Sequence, residues 1–174
     1  KVKSDSKKAI AALKSFGLEP VMMTGDNKRT AKAIAAEVGI DRVIANVMPD
    51  DKSNEIKRLQ ENGETVAMVG DGINDAPALT QAHVGIAIGT GTDVAIESGD
   101  LVLVKGDLSA VVKAVKLSRA TFTKIKQNLF WAFFYNVVMV PLAILGMMHP
   151  VLAASAMAFS SINGVTNSRS LQKI

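Results

Sequence analysis

Two carboxylates and an amide follow an apolar segment in the run Val69-Gly-Asp-Gly-Ile-Asn-Asp-Ala-Pro77. Asp71 and Asp75 lie four residues apart around a glycine turn, with Asn74 between them. Magnesium in proteins binds one or two carboxylates and completes its shell with water and phosphate oxygens. The pattern therefore predicts a magnesium site in which Asp71 is a ligand, Asn74 binds a phosphate oxygen, and Asp75 binds the metal or orients a nearby lysine. The alternative is an ordinary Asp-Gly turn.

Two other loops carry groups that suit a phosphate. Thr24-Gly25-Asp26 supplies a hydroxyl and backbone N–H groups at the start of a predicted helix, where anions bind readily. Lys52 also lies at a helix start, and a lysine there opposes the helix dipole unless an anion is near. The alternatives are a simple helix N-cap at the first loop and a solvated lysine at the second.

Together the three loops offer a hydroxyl, a lysine and magnesium-binding acids, which are the components of phosphoryl transfer by positioning and charge neutralisation. One component is missing, because no strand before Thr24 carries an aspartate that could act as the nucleophile. The residues alone therefore predict a phosphoryl-transfer site without its nucleophile.

The segments around these loops alternate between helices and strands. The predicted helices cover residues 6–16, 28–38, 51–61, 75–81 and 93–97, and the predicted strands cover residues 19–23, 42–45, 66–69, 84–88 and 101–104. Apolar strands that alternate with helices indicate an α/β fold with a doubly wound parallel sheet. Such sheets bind ligands at the carboxyl ends of their strands, where Thr24 and Asp71 are predicted to lie.

The last third of the chain has the composition of a membrane segment. A basic helix is predicted over residues 108–127, and residues 127–168 carry no charged side chain apart from His149. Since about 20 apolar residues span a bilayer, two membrane helices are predicted at about 129–148 and 151–168. The alternative, a buried soluble hairpin, would need a larger domain. Basic residues flank the hairpin on both sides, which predicts that both ends and the α/β domain are cytoplasmic.

Charge divides the chain in the same place. Residues 1–107 carry thirteen Lys and Arg against sixteen Asp and Glu, whereas residues 108–174 carry seven basic residues and no acid. The predicted organisation is an α/β domain (1–107), a connecting helix (108–127) and a membrane hairpin (128–174). The absence of cysteine excludes disulfides and thiolate metal sites within these residues. No nucleic acid partner is indicated. A start at Lys1 rather than Met predicts a piece of a longer chain.

Several motifs resemble one family. The runs TGDN at 24–27, MPDDK at 48–52 and MVGDGINDAPAL at 68–79 resemble the phosphorylation domain of P-type ATPases, which has the haloacid dehalogenase fold. The runs at 89–108 and 119–136 resemble the heavy-metal-transporting branch. The likeness covers essentially the whole chain and implies the C-terminal part of a pump, with an incomplete haloacid dehalogenase-like sheet followed by a two-helix transmembrane hairpin.

The resemblance implies a role for each matching residue. Thr24, with Gly25 and Asp26 in the same motif, contacts the phosphoryl group, and Lys52 neutralises its charge. Asp71 binds Mg²⁺, and Asn74 and Asp75 complete the site. In the family the phosphorylated aspartate, the ATP-binding domain and a Cys-Pro-Cys helix precede the point where this chain begins, so the chain alone is predicted to be inactive. His83 replaces an expected aspartate and is interpreted as surface variation.

Two motifs in the membrane segment resemble motifs that distinguish Cu(I) transporters. They are Tyr135-Asn136 and the Met-x-x-Ser-Ser motif of Met157, Ser160 and Ser161. A thioether is a soft ligand that suits Cu(I), and polar groups at membrane depth are costly unless they are paired or functional. The alternative is interhelical hydrogen bonding and packing. The implied function is ATP-driven Cu(I) export, with the bilayer, the N-terminal part of the chain and a cytoplasmic copper chaperone as partners.

Three other functions remain open. A Zn²⁺ or Cd²⁺ pump should carry a carboxylate in its last helix, and residues 108–174 have none. A membrane-tethered phosphatase would need an upstream aspartate but no nucleotide domain. A short non-enzymatic form could assemble with a pump or regulate it.

Overall fold

The computed structural model of the chain describes residues 5–71, 73–89, 93–104, 106–147 and 149–173. Gly72 of the glycine turn, the predicted turn residues 90–92 and Met148 lie outside the described residues. Contacts divide the chain into two compact units, residues 1–112 and residues 113–174. Each unit is described by itself.

The first unit alternates helices with strands, as the sequence predicts. Its helices are α1 (Ser6–Ser15), α2 (Lys28–Val38), α3 (Lys52–Glu61), α4 (Ala76–Gln81) and α5 (Asp93–Ser98). Its strands are β1 (Val21–Met23), β2 (Arg42–Ile44), β3 (Ala67–Gly70), β4 (Val84–Ile88) and β5 (Leu101–Leu103). Short 3-10 turns, Pro49–Asp51 and Ile73–Asp75, precede α3 and α4.

All strand pairs in this unit are parallel, which confirms the predicted strand direction. β1 pairs with β2, Val21 opposite Arg42, and β4 lies between β3 and β5. The strands therefore form two sheets rather than the single sheet that the sequence suggested. Among the described residues no strand lies between β1 and β3 and pairs with both of them. One edge of β1 and one edge of β3 are therefore unpaired.

Small residues hold α4 tightly against the three-stranded sheet. Leu79 of α4 and Ala87 of β4 are fully buried, with Met68 packed against them, and burial of a leucine side chain contributes about 1.5–3 kcal/mol. A Cβ atom on Gly85 would lie only 2.6 Å from the Leu79 carbonyl oxygen. A larger residue at Gly85 would therefore clash with the backbone of α4 at Leu79, so glycine at this position allows α4 to pack closely on β4.

A paired arginine ties β2 to the segment before β3. Arg42 donates to both carboxylate oxygens of Glu64 at 2.8 and 3.0 Å, and Glu19 lies 3.6 Å away. The hydrogen bonds from the Arg42 guanidinium lower the pKa of Glu64, and those carboxylates raise the pKa of Arg42. The pair therefore helps to connect the two sheets.

We expect Glu64→Gln to lower the midpoint of thermal unfolding slightly near neutral pH, because exposed ion pairs contribute little. A lowered pKa means that ionised Glu64 stabilises the fold above the ordinary value of 4.5 and that this contribution is lost as the pH falls through the lowered pKa. The difference from the unmodified chain should therefore vanish in acid. Glu61→Gln, on the exposed end of α3, is the control. Thermal unfolding of the chain in detergent at several pH values checks this, and a difference that grows in acid would contradict it.

The second unit is built on two helices. α6 (Leu108–Ile144) begins in the first unit, where the Asp107 carboxylate accepts from the Ala110 N–H at 2.9 Å, and continues without a break past residue 127. α7 (Pro150–Arg169) forms where the second membrane helix is predicted. Within the described residues, α6 is the one helix long and apolar enough to cross a membrane. The membrane crossing of α7 stays a prediction.

The first predicted membrane helix ends earlier than expected. α6 stops at Ile144 instead of residue 148, because Gly146 adopts a left-handed conformation (φ 69°). The Met147 N–H then donates to the Leu142 carbonyl at 3.0 Å, a common closure of a helix by glycine. The sequence interpretation placed the turn at 147–150 and overlooked this glycine.

Candidate functional site

The Thr24 loop follows the carboxyl end of β1. The Thr24 N–H donates to the Ile44 carbonyl at 3.0 Å, and its hydroxyl oxygen accepts from the Asp26 N–H at 3.1 Å. The N-cap of α2 is Asn27, whose side chain accepts from Thr30. Since the cap is supplied by another residue, the alternative that Thr24 is a simple N-cap does not hold.

Asn46 fixes the Thr24 loop from the neighbouring strand, and sequence reasoning missed it. It has a φ of 57°, a left-handed conformation that costs roughly 1–2 kcal/mol for most residues but that asparagine visits more readily. Its N–H donates to the Asp26 carbonyl at 2.9 Å, and the Val47 N–H donates to the Thr24 carbonyl at 3.1 Å. The loop after β2 thus holds the loop after β1.

Lys52 and Asp75 form the centre of the site. The Lys52 ammonium donates to Asp75 Oδ1 at 2.6 Å, the lysine is half-buried, and Asp75 is only 8% exposed. Lys52 is therefore not a solvated lysine, and Asp75 is its hydrogen-bond partner. The other carboxylate oxygen of Asp75 accepts from the Asp71 N–H at 3.3 Å.

Gly70 allows Asp75 to approach the end of β3. This glycine is buried at the last position of the strand, and a Cβ atom on it would lie 2.6 Å from the Asp75 Cβ and 2.9 Å from Oδ2. Contacts this short do not occur between real side chains. The site therefore depends on glycine at this position.

Asp71 and Asn74 are the exposed groups of the site. Among the described residues their side chains make no hydrogen bond, whereas both oxygens of Asp75 are engaged. The described residues contain no group of three or more His, Cys, Asp and Glu side chains suited to a metal. Magnesium needs only one or two carboxylates, so the donor set fits it, with Asp71 as the available ligand and Asp75 as its support.

The predicted membrane metal residues lie on both helices of the second unit. The half-buried Tyr135 ring lies 6.2 Å from the Trp131 ring, and Asn136 donates to the Ala132 carbonyl of its own helix at 2.8 Å. Met157 on α7 is 73% exposed. Among the described residues no hydrogen bond links Met157 on α7 to Tyr135 or Asn136 on α6.

An open groove of about 900 Å³ lies between α6 and α7. Its lining comprises Asn128, Ala132, Ser160, Ser161, Gly164, Val165, Ser168 and Arg169. The two serines of the Met-x-x-Ser-Ser motif therefore face a common space, and Tyr135, Asn136 and Met157 do not line it.

His83, which the sequence analysis interprets as surface variation, takes part in a polar cluster. Its Nδ1 accepts from the Val66 N–H at 3.1 Å and lies 3.3 Å from Gln60 Nε2. Gln60 and Gln81 hydrogen-bond each other at 2.8 Å. This polar cluster closes the segment that leads into β3, at the opposite end from Asp71, so the earlier interpretation was incomplete.

Comparison with known proteins agrees with this geometry. Residues 1–83 match the family model of the haloacid dehalogenase-like hydrolases. Over 99% of its length the chain is 55% identical to a copper-exporting P-type ATPase of Bacillus subtilis (strain 168) and 56% identical to a probable copper-exporting P-type ATPase V of Mycobacterium tuberculosis. A crystal structure of a zinc-transporting PIB-type ATPase in the E2.Pi state matches 98% of the chain at 38% identity, with a TM-score of 0.90.

The chain belongs to the metal-transporting P-type ATPases. It spans 22% of the length of these two curated relatives and 28% of the zinc-transporting P-type ATPase. The resemblance inferred from the motifs is therefore confirmed at the level of the family, and the mixed α/β fold with parallel strands is that of a haloacid dehalogenase-like domain.

Proposed function

We propose that this chain supplies the phosphate-binding and magnesium-binding part of an ATP-driven Cu(I)-exporting pump, together with part of its membrane metal site. The observation that carries the proposal is the Lys52–Asp75 pair of 2.6 Å beside the exposed Asp71. A lysine held by a nearly buried carboxylate at the end of a parallel strand is suited to neutralise a phosphoryl group.

Each residue would act on an aspartyl phosphate formed in another part of the pump. The Thr24 hydroxyl and the Gly25 N–H bind phosphoryl oxygens, the Asp26 N–H orients that hydroxyl by donating to its oxygen, and Lys52 offsets the phosphoryl charge. Asp71 binds Mg²⁺, which supplies further charge neutralisation when bound. Asp75 holds Lys52 in place, and Asn74 binds a phosphate oxygen.

Among the described residues β1 and β3 each have one unpaired edge, which supports a nucleophile supplied by another part of the pump. A parallel strand that joined either edge would end at the same side as Thr24 and Asp71, because carboxyl ends of parallel strands lie together. An aspartate at that end would complete the site. ATP would bind mainly to a nucleotide domain that these residues do not include.

Copper is the proposed cargo because curated relatives at 54–56% identity are named copper-exporting. The soft thioether of Met157 suits Cu(I), and Ser160 and Ser161 face the groove of the second unit. The zinc-transporting structural relative favours Zn²⁺ as the second candidate. A zinc site commonly includes carboxylate or imidazole ligands; residues 108–174 contain no acid, and their one histidine, His149, is the N-cap of α7.

The pump is proposed to be a multi-pass integral membrane protein with the α/β unit in the cytoplasm. The apolar part of α6 and the basic residues that flank the hairpin support this orientation. A cytoplasmic copper chaperone is a further proposed partner.

Phosphorylation of the full-length pump tests the phosphoryl-transfer part. With Mg²⁺ and radiolabelled ATP, we expect an acid-stable aspartyl phosphate that disappears when EDTA removes the magnesium. Asp71→Asn should suppress it under the same conditions. A phosphoenzyme that forms equally well without magnesium would contradict the role of Asp71.

Met157→Leu is expected to lower Cu(I)-stimulated ATP hydrolysis by at least about tenfold, since even outer-shell losses at metal sites cost this much. Leucine conserves the volume but removes the thioether. Phosphorylation of the same variant by inorganic phosphate should persist. Met139→Leu on α6, at a methionine outside the motif, is the matched control. Equal activities of the two variants would remove Met157 from the metal site.

A further inference from the structure

Five polar side chains join α6 to α7 at the end of the charge-free stretch. Asn167 is their centre: its Oδ1 accepts from Lys124 Nζ at 2.7 Å, and its Nδ2 donates to Asn128 at 2.8 Å and Gln127 at 3.2 Å. Asn128 Nδ2 in turn donates to Ser168 Oγ at 2.9 Å. We call these five residues the interhelix clasp.

The clasp is specific for one register of the two helices. Lys124, Gln127 and Asn128 are three and four residues apart and so lie on one face of α6. Both N–H groups of the Asn167 amide are used, and its oxygen accepts a charged donor, so little of its capacity is left. Lys124 also lies beside the last turn of α7, where the helix dipole favours a cation. A shift of either helix along its axis would break all of these interhelical hydrogen bonds at once.

The register matters for residues further along α7. Met157, Ser160 and Ser161 lie two to three turns before Asn167 on the same helix. A slip of one helical turn would move them by about 5.4 Å relative to α6, more than the length of a metal–ligand bond. α6 is itself one continuous helix from its Asp107 cap to Ile144, so a displacement at its start is carried along its length.

We propose that the interhelix clasp is the joint that passes displacements of α6 to α7 during the pump cycle, and that Asn167 is its positioning residue. The inference rests on the proposed function, because it concerns how the phosphoryl site and the membrane metal site act together. Asn167 is not among the residues proposed to bind phosphate or metal, and the described partners of its side chain are side chains of α6. Its role is to hold Met157, Ser160 and Ser161 of α7 at a fixed position along the axis of α6.

The test compares Asn167→Ala and Asn163→Ala in the full-length pump. Asn163 lies one turn earlier on α7, is likewise half-buried, and makes no hydrogen bond within the described part of the chain. Two quantities are measured: the ratio of ATP hydrolysis with Cu(I) in a thiol buffer to hydrolysis without metal, and phosphorylation by inorganic phosphate. Because Asn167→Ala removes three interhelical hydrogen bonds, its ratio should fall by about tenfold, while phosphorylation by phosphate persists.

Every outcome of these measurements either supports or overturns the proposed role of the interhelix clasp. Equal ratios for the two variants would overturn the proposal. If Asn167→Ala also fails to accept inorganic phosphate, Lys124→Met decides, because it removes one bond and keeps the length of the side chain. A reduced ratio with intact phosphorylation in that variant supports the clasp, and an unchanged ratio overturns it. A wild-type pump that no metal stimulates would contradict the proposed function itself, whatever the variants do.

Discussion

Replacing Asp75 with asparagine in the full-length pump is expected to lower the rate of phosphoenzyme formation by roughly a hundredfold to a thousandfold. Within the described residues the Lys52 ammonium donates to one oxygen of Asp75 and the Asp71 N–H donates to the other. Asparagine has one acceptor and one donor group at these positions. Whichever way its amide turns, an N–H group opposes one of the two donors, and Lys52 loses its counter-charge.

The same substitution should destabilise the α/β unit by about 1–3 kcal/mol, the usual effect of leaving a buried donor without a partner. Asp50→Asn, at an exposed carboxylate two residues before Lys52, changes charge in the same loop and is the control. A double-mutant cycle with Lys52→Met tests the pairing of Lys52 and Asp75. If the two side chains act as a pair, the losses of phosphorylation rate in the two single variants do not add up in the double variant. Additive losses, or a normal phosphorylation rate in Asp75→Asn, would refute the pairing role.

Gly70→Ala is expected to be nearly as damaging, although it adds a single methyl group. The new Cβ would lie 2.6 Å from the Asp75 Cβ, and β3 holds the backbone on one side. Asp75 must then move away from Lys52 and from the Asp71 N–H. We expect a loss of about 1–3 kcal/mol of stability from overpacking and a phosphorylation rate reduced by roughly a hundredfold.

Gly85→Ala is the matched comparison for this variant. It creates an equally short contact of 2.6 Å, with the Leu79 carbonyl oxygen, at the opposite end of the sheet from Asp71. Both variants should lower the unfolding midpoint, measured by thermal unfolding in detergent. Only Gly70→Ala should lose phosphorylation beyond its loss of folded protein. Equal activity per folded molecule in the two variants would show that Gly70 serves packing alone.

Local patterns were sufficient to predict most elements of the first unit. The strands are short apolar runs and the helices end at glycines such as Gly39, which has a φ of 83°. The motif offered two roles for Asp75, a metal-site role and the orientation of a lysine, and the hydrogen bond with Lys52 fits the second. The division into two sheets could not be predicted, because local patterns identify strands but not which strands pair, and among the described residues no strand joins β1 to β3.

The contacts that sequence reasoning missed join distant segments. Asn46 acts through its backbone conformation, and its side-chain type gives only a weak signal for a left-handed residue. Asn167 and Lys124 are 43 residues apart, and their pairing needs the two helices in register. His83 pairs with Val66 across a helix, and nothing in the local sequence marks that contact. Such long-range pairs follow from the assembled fold rather than from periodicity.

The most direct test of the account is metal-stimulated ATP hydrolysis by the full-length pump, with Cu(I) in a thiol buffer compared with Zn²⁺. Stimulation by Cu(I) alone is the predicted result, and it would support Tyr135, Asn136, Met157 and Ser161 as part of the metal site. Stimulation by Zn²⁺ alone would contradict copper as the cargo and leave the Lys52–Asp75 phosphoryl site standing.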